Sequence, residues 1–136
     1  MKSQRFGIEI EMTGLTRRSA ALIIAKHFDT GIKHERGIYD TYSVCDQDGR
    51  KWKIVRDASI TPQCGNRFDY DPDYKVEVVS PICHYEDIET IQSIVRELRR
   101  NGHAKVNESC GIHIHVDASK HTARSLRNIA NIMYSK

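Results

Sequence analysis

Arg5-Phe6-Gly7-Ile8-Glu9-Ile10-Glu11-Met12-Thr13 is the stretch on which the fold turns. Phe6, Ile8, Ile10 and Met12 alternate with Gly7, Glu9, Glu11 and Thr13, the period of two that marks a half-buried strand. One face of such a strand is apolar and the other carries two carboxylates. A sheet built on it buries one side against helices and leaves the acidic side open.

On either side of this strand the chain supplies the rest of a layered fold. After Gly14 the period changes, and Ala21, Ile24, Ala25 and Phe28 predict a helix from about Arg17 to Phe28, with Thr16 as N-cap and Gly31 just past its end. Residues 37 to 57 predict a hairpin, with arms Ile38 to Cys45 and Lys51 to Asp57 around the turn signal Asp48-Gly49. Thr61 to Asp73 is polar and contains Gly65, Asn66 and two prolines, so a loop is expected. Tyr74 to Ser80 predicts a strand ended by Pro81, pointing Val76 and Val78 one way and Glu77 and Val79 the other. Ile88, Ile91, Val95 and Leu98 mark a helix from about Tyr85 to Arg100 that should cover the sheet. Cys110 to Asp117 alternates again, with His113 and His115 on its polar face, and Thr122 to Tyr134 predicts a last helix. The predicted class is α+β: a mostly antiparallel sheet with helices on one face, in a single domain over residues 1–136.

The 136 residues are 39% hydrophobic and 29% charged, the balance of one compact domain with a real core. Apolar runs such as Ala20 to Ala25 fall far short of the roughly 20 residues that span a bilayer. No membrane segment is expected, and acid interrupts any signal-like stretch near the N-terminus, so a cytoplasmic location is expected. Twenty-one basic against eighteen acidic side chains leave +3, too even a balance to predict a nucleic-acid surface. The four cysteines form no C-x-x-C pair, which argues against a disulfide scaffold or a zinc ribbon.

The polar faces carry the chemistry. Glu9 and Glu11 project from one side of one strand, close enough to repel. His113 and His115 repeat that spacing on a second strand, and Glu77 adds a carboxylate from a third. Each pair alone is what any half-wet strand shows. Aligned on neighbouring strands, they would form a cluster that calls for cations, because uncompensated like charges raise carboxylate pKa values and cost stability. Oxygen donors dominate, which suits Mg2+ or Mn2+ better than Zn2+, and Mn2+ readily accepts an imidazole. Asp57-Ala58-Ser59 is a common turn motif, yet it also offers a carboxylate and a hydroxyl for metal-bound water or substrate. Arg56, Arg67 and Lys75 border the expected site and could hold phosphate oxygens. Tyr70 and Tyr74 could line a ligand pocket.

Phe6-Gly7-Ile8-Glu9-Ile10-Glu11, Asp57-Ala58-Ser59, Val76-Glu77-Val78-Val79-Ser80-Pro81 and Cys110-Gly111-Ile112-His113-Ile114-His115-Val116-Asp117, in that order, resemble the amidoligase family. That family is common in phages and mobile elements and similar in fold to glutamine synthetase and glutamate-cysteine ligase. The resemblance implies a curved, glutamine-synthetase-like antiparallel sheet whose divalent metals clamp the phosphates of ATP over a carboxylate substrate. It implies an acyl phosphate, which an amine then attacks to form an amide or peptide-like bond. By resemblance Glu9, Glu11, Glu77 and His113 are metal ligands, and His115 lies near the nucleotide phosphates. Asp57 and Ser59 fall in a family motif and join His115 as catalytic candidates, while Arg56 and Lys75 are nucleotide-binding candidates. The implied ligands are Mg2+ or Mn2+, ATP as co-substrate, and a carboxylate and an amine that are small molecules or peptides. No base for the amine is singled out.

Related enzymes continue beyond the third helix and take a further carboxylate and an arginine from there. Neither can be placed here, so the chain reads as an N-terminal half or a truncated member. An unfinished sheet edge and an uncovered last helix predict association with the missing half or another copy. Two other functions compete. His113-x-His115-x-Asp117 superficially matches the run of metallo-beta-lactamase-like hydrolases, although Ala118 stands where a further histidine is wanted. The other is a non-catalytic module that binds metal or nucleotide.

Overall fold

The alternation of the first strand decides which side of the protein is dry. Phe6–Met12 forms β1, with Phe6, Ile8 and Ile10 against the core and Met12 within it. The structure, a computed structural model, describes residues 3–64, 67–68 and 70–135. Around β1 it is α+β, with a six-stranded antiparallel sheet and three α-helices. Along the chain β1 is followed by α1 (Arg17–His27), β2 (Ile32–Arg36), β3 (Thr41–Cys45) and β4 (Lys51–Val55). Then come the short pair β5 (Gln63–Cys64) and β6 (Arg67–Phe68), β7 (Val76–Val79), α2 (Ile88–Asn101), β8 (Ile112–Val116) and α3 (Ala123–Tyr134). The strand order is β2-β3-β4-β7-β1-β8, with β5 and β6 paired to each other apart from it.

Register places the polar groups. Glu9 lies opposite Val79 on one side and His113 on the other, and Glu11 lies opposite Glu77. Directly opposed residues share a face, so β7, β1 and β8 present their polar side chains together.

On the dry side, Trp52, Ile54, Val76 and Val78 meet Ile24 of α1 and Ile94 and Leu98 of α2. Each large aliphatic buried there contributes about 1.5–3 kcal/mol. Thr16 caps α1 by accepting from the Ser19 N–H, as its position predicts. Arg17, 3% exposed, donates to Asp40 and Asp73 and to the carbonyls of Pro72 and Lys75, which fastens the segment before β7 to the start of α1.

Three features differ from the sequence expectation. β2 was not expected, because Ile-Lys-His-Glu-Arg shows no alternation and only Ile32 packs against the core. The hairpin arm begins at Thr41 rather than Ile38, since Gly37 and Asp40 take positive φ in a turn that leaves Ile38 exposed. The expected loop 61–73 holds the β5–β6 pair and the start of a 3-10 turn at Pro72–Tyr74; the expected positions Gly65, Asn66 and Asp69 lie outside the described residues.

Helical cover is also partial. α1 and α2 are each about 10 Å across, whereas six strands span roughly 24 Å. Ile112, Ile114 and Val116 of β8 are therefore more than half exposed on the helix side. α3 buries none of its residues, and Leu126, Ile129, Ile132 and Met133 stay exposed. Among the described residues no helix is long and apolar enough to cross a membrane.

Candidate metal centre

Three strands and one turn build the centre. Glu9 and Glu11 extend from β1, Glu77 from β7, His113 and His115 from β8, and Asp57 from the turn after β4. Val55 pairs with Glu77, so the chain leaving β4 carries Asp57 towards the same group.

Each carboxylate is held differently. Glu11 is 5% exposed, and one of its oxygens accepts the Gly111 N–H at 2.7 Å. That backbone donor just before β8 fixes its orientation without a counter-charge. Glu9 lies 3.2 Å from Nε2 of His115 and 3.3 Å from Nδ1 of His113. The His115 contact, with His113 behind it, lowers the Glu9 pKa against a smaller desolvation effect. Asp57 accepts both the N–H and the hydroxyl of Ser59 at 2.7 Å through a single oxygen, and these bonds hold its pKa down.

Glu77 has no such relief. Burial first, then repulsion from Glu9, Asp57 and Glu11, pushes its carboxyl up to about 7. Like charges have thus been packed together, and the His113 imidazole offsets only a small part of their effect on Glu77.

The ligand atoms of Glu9, Glu77 and His113 lie within 4.8 Å of one another, and so do those of Glu11, Asp57 and Glu77. Two cation positions sharing Glu77 are consistent with these groups. Four carboxylates and one imidazole fit a hard divalent ion such as Mg2+ or Mn2+.

The sequence-derived candidates fall into place unevenly. Glu9, Glu11, Glu77 and His113 converge, and His115 stands beside Glu9 rather than in either ligand group. Ser59 acts on the cluster through Asp57. Lys75 borders it, donating to the Ala58 carbonyl at 2.7 Å and exerting its charge on Asp57. Arg56 is turned to the Ile38 carbonyl at 2.7 Å, away from the cluster. Arg67 is exposed on β6, Tyr70 is fully exposed, and Tyr74 contacts Cys64, so none of the three lines the centre. Asp117 is engaged by Arg5 at 2.6 Å, and the Ser119 N–H together with Arg5 holds its carboxyl at about 2.

Sequence reasoning kept Asp57 outside the metal-ligand set. The signal available was the pairing of β4 with β7, which an isolated hairpin pattern does not reveal. It also missed the supports around the centre: Thr61 donates its N–H to Ser109, and Asn107 donates to the Thr61 carbonyl, tying the segment after Asp57 to the one before Gly111. A pocket of about 370 Å³ adjoins the centre, with Gly7, Val79, Pro81 and Ile82 on its apolar side and Glu9 and His115 on its polar side.

The sequence model of a family described as "Putative amidoligase enzyme" matches residues 2–136. No curated protein and no solved structure matches the chain.

Proposed function

The chain belongs to this amidoligase family, and from that membership and the carboxylate cluster we propose that it is an ATP- and divalent-metal-dependent carboxylate-amine ligase. A glutamine-synthetase-like use of the sheet is part of the proposal. The observation that carries it is the convergence of Glu9, Glu11, Asp57 and Glu77 with His113 into two groups whose ligand atoms lie within 4.8 Å of one another, a crowding that, with burial, pushes the Glu77 carboxyl up to about 7. Such a packing costs stability unless cations occupy it.

In this proposal Glu9, Glu77 and His113 hold one ion and Glu11, Asp57 and Glu77 a second. Bound there, the ions would neutralise phosphate oxygens and set the acid and the nucleotide in line. Gly111 and Ser59 keep Glu11 and Asp57 aimed, so little reorganisation is needed when the nucleotide arrives. His115, oriented by Glu9, is placed to donate a hydrogen bond to a phosphate oxygen, and Lys75 lies at the Asp57 side. The substrate carboxylate attacks the terminal phosphorus and ADP leaves, giving an acyl phosphate. The amine nitrogen then attacks the acyl carbon, phosphate leaves, and the surplus amine proton passes to solvent. No covalent bond to the protein is required.

A hydrolase of the His-x-His-x-Asp kind is disfavoured, because Asp117 is bound to Arg5 and belongs to neither carboxylate group. Calorimetric titration with Mg2+, Mn2+ and Zn2+, with and without a non-hydrolysable ATP analogue, tests the proposal. Analogue binding that requires Mg2+ or Mn2+ is expected. Tight Zn2+ binding without any nucleotide effect would overturn it.

A further inference from the structure

The open face does not end at the carboxylates. Strand register aligns Lys33, Ser43, Lys53, Val79, Glu9 and His113 in one row across all six strands. Lys51 lies on the same face as Lys53, two residues along β4. One half of the face is therefore basic and the other acidic, with the half-buried Val55 and Val79 between them.

The basic half is only partly neutralised. Ser43, 4% exposed, donates its hydroxyl to Glu35 at 3.0 Å, and the same oxygen accepts Lys51 at 3.0 Å. Glu35 is thereby committed to Lys51, with Lys33 acting on it only through its charge at longer range, and Lys33 and Lys53 form no ion pair within 4.0 Å among the described residues. These two ammonium groups face water on the side of the sheet that carries the centre, next to an apolar strip that a bound molecule would cover.

We infer that Lys53, with Lys33 adding charge from two strands further out, forms an anion subsite, and that the acid substrate carries a second anionic group, carboxylate or phosphate, beyond the carboxyl that reacts. The inference rests on the ligase proposal for the centre. β4 and β1 are two strand spacings apart, roughly 10 Å, so a short dianion can lie over Val79 with one end at each charge. Its reacting carboxyl meets the cations and its far end meets the Lys53 ammonium group, while Lys33, two strands further out, adds its charge at longer range. A monoanion of equal length leaves the lysines to water and gains nothing from them, and selectivity arises from that difference.

Calorimetry on the full chain loaded with Mn2+ tests the subsite, with glutarate and 4-phosphonobutyrate compared against valerate. Wild type should bind the dianions at least about tenfold tighter, as expected for one charge-assisted hydrogen bond. Lys53→Ala with Lys33→Ala should abolish that preference, Lys53→Arg should retain most of it, and Mn2+ affinity should be the same in wild type and both variants. A preference shown by both dianions or by the phosphonate alone supports the subsite and identifies the group it takes. Equal affinities in wild type, or a preference that survives the double substitution, overturns it while leaving the ligase proposal standing. Loss of ADP affinity in the double variant without any dianion preference assigns the lysines to nucleotide phosphates and also overturns it. Absence of Mn2+ binding in wild type removes the ligase proposal and the subsite together.

Discussion

Replacing Glu77 by glutamine should make the metal-free protein more stable, and only at high pH. The ordinary carboxyl value is 4.5, and in the fold burial and three neighbouring carboxylates raise it to about 7. Below 4.5 the group is protonated in both states and contributes nothing. Between the two values the unfolded chain gives up the proton first, so stability falls as pH rises, and above 7 the full penalty is present. At about 1.36 kcal/mol per pH unit the ceiling is about 3 kcal/mol. Water reaches part of the side chain, which reduces the expected net to about 2 kcal/mol. Glutamine keeps the shape without the charge. Urea unfolding in the presence of a chelator, at about pH 5 and about pH 8.5, reads the difference directly. Glu77→Gln should gain about 2 kcal/mol at the higher pH, or about 6 °C in Tm, and little at the lower. A variant no more stable than wild type at the higher pH, or equally stabilised at both, would refute the assignment of a strained, uncompensated carboxylate.

Other consequences follow from the same geometry. Because Glu77 retains a proton near neutrality, Mn2+ binding should release about one proton at mildly acid pH and progressively less above 7; calorimetry in buffers of different ionisation enthalpy measures this, and a buffer-independent heat contradicts it. Arg17→Leu leaves Asp40 and Asp73 without the guanidinium that holds both, and should cost about 2–3 kcal/mol in urea unfolding, less than a fully buried pair because both carboxylates reach water. Its failure to destabilise would mean that the segment before β7 is held by other contacts. Asp117→Asn should leave metal affinity unchanged, since Asp117 pairs with Arg5; a loss would restore the hydrolase alternative.

The parts of the fold legible in the sequence are those in which one residue type repeats at one period. β1 and β8 alternate cleanly and β7 does so as far as Val78, and α1 and α2 carry apolar stripes, α1 with its Thr16 cap, so their limits fall within a few residues of expectation. β2 has no such pattern because it lies at the sheet edge, where only Ile32 meets the core. Four of the metal-ligand candidates could be named from spacing and family resemblance together, because they lie on strands whose faces the alternation already sorts. Asp57 could not, since its approach to Glu77 depends on β4 pairing with β7 across more than twenty intervening residues. The same long-range pairing hides the lysine row. Lys33 and Lys53 look like ordinary solvated positions until register sets them beside Ser43 and in line with Glu9.

The most direct measurement is a Mn2+ titration followed by electron paramagnetic resonance, on wild type and on Glu9→Gln with Glu11→Gln, with far-ultraviolet circular dichroism confirming that both are folded. Wild type should take up Mn2+, and the double variant should lose that uptake while unfolding no earlier than metal-free wild type. Unchanged Mn2+ affinity in a folded double variant would contradict the placement of the metal centre on β1, β7 and β8.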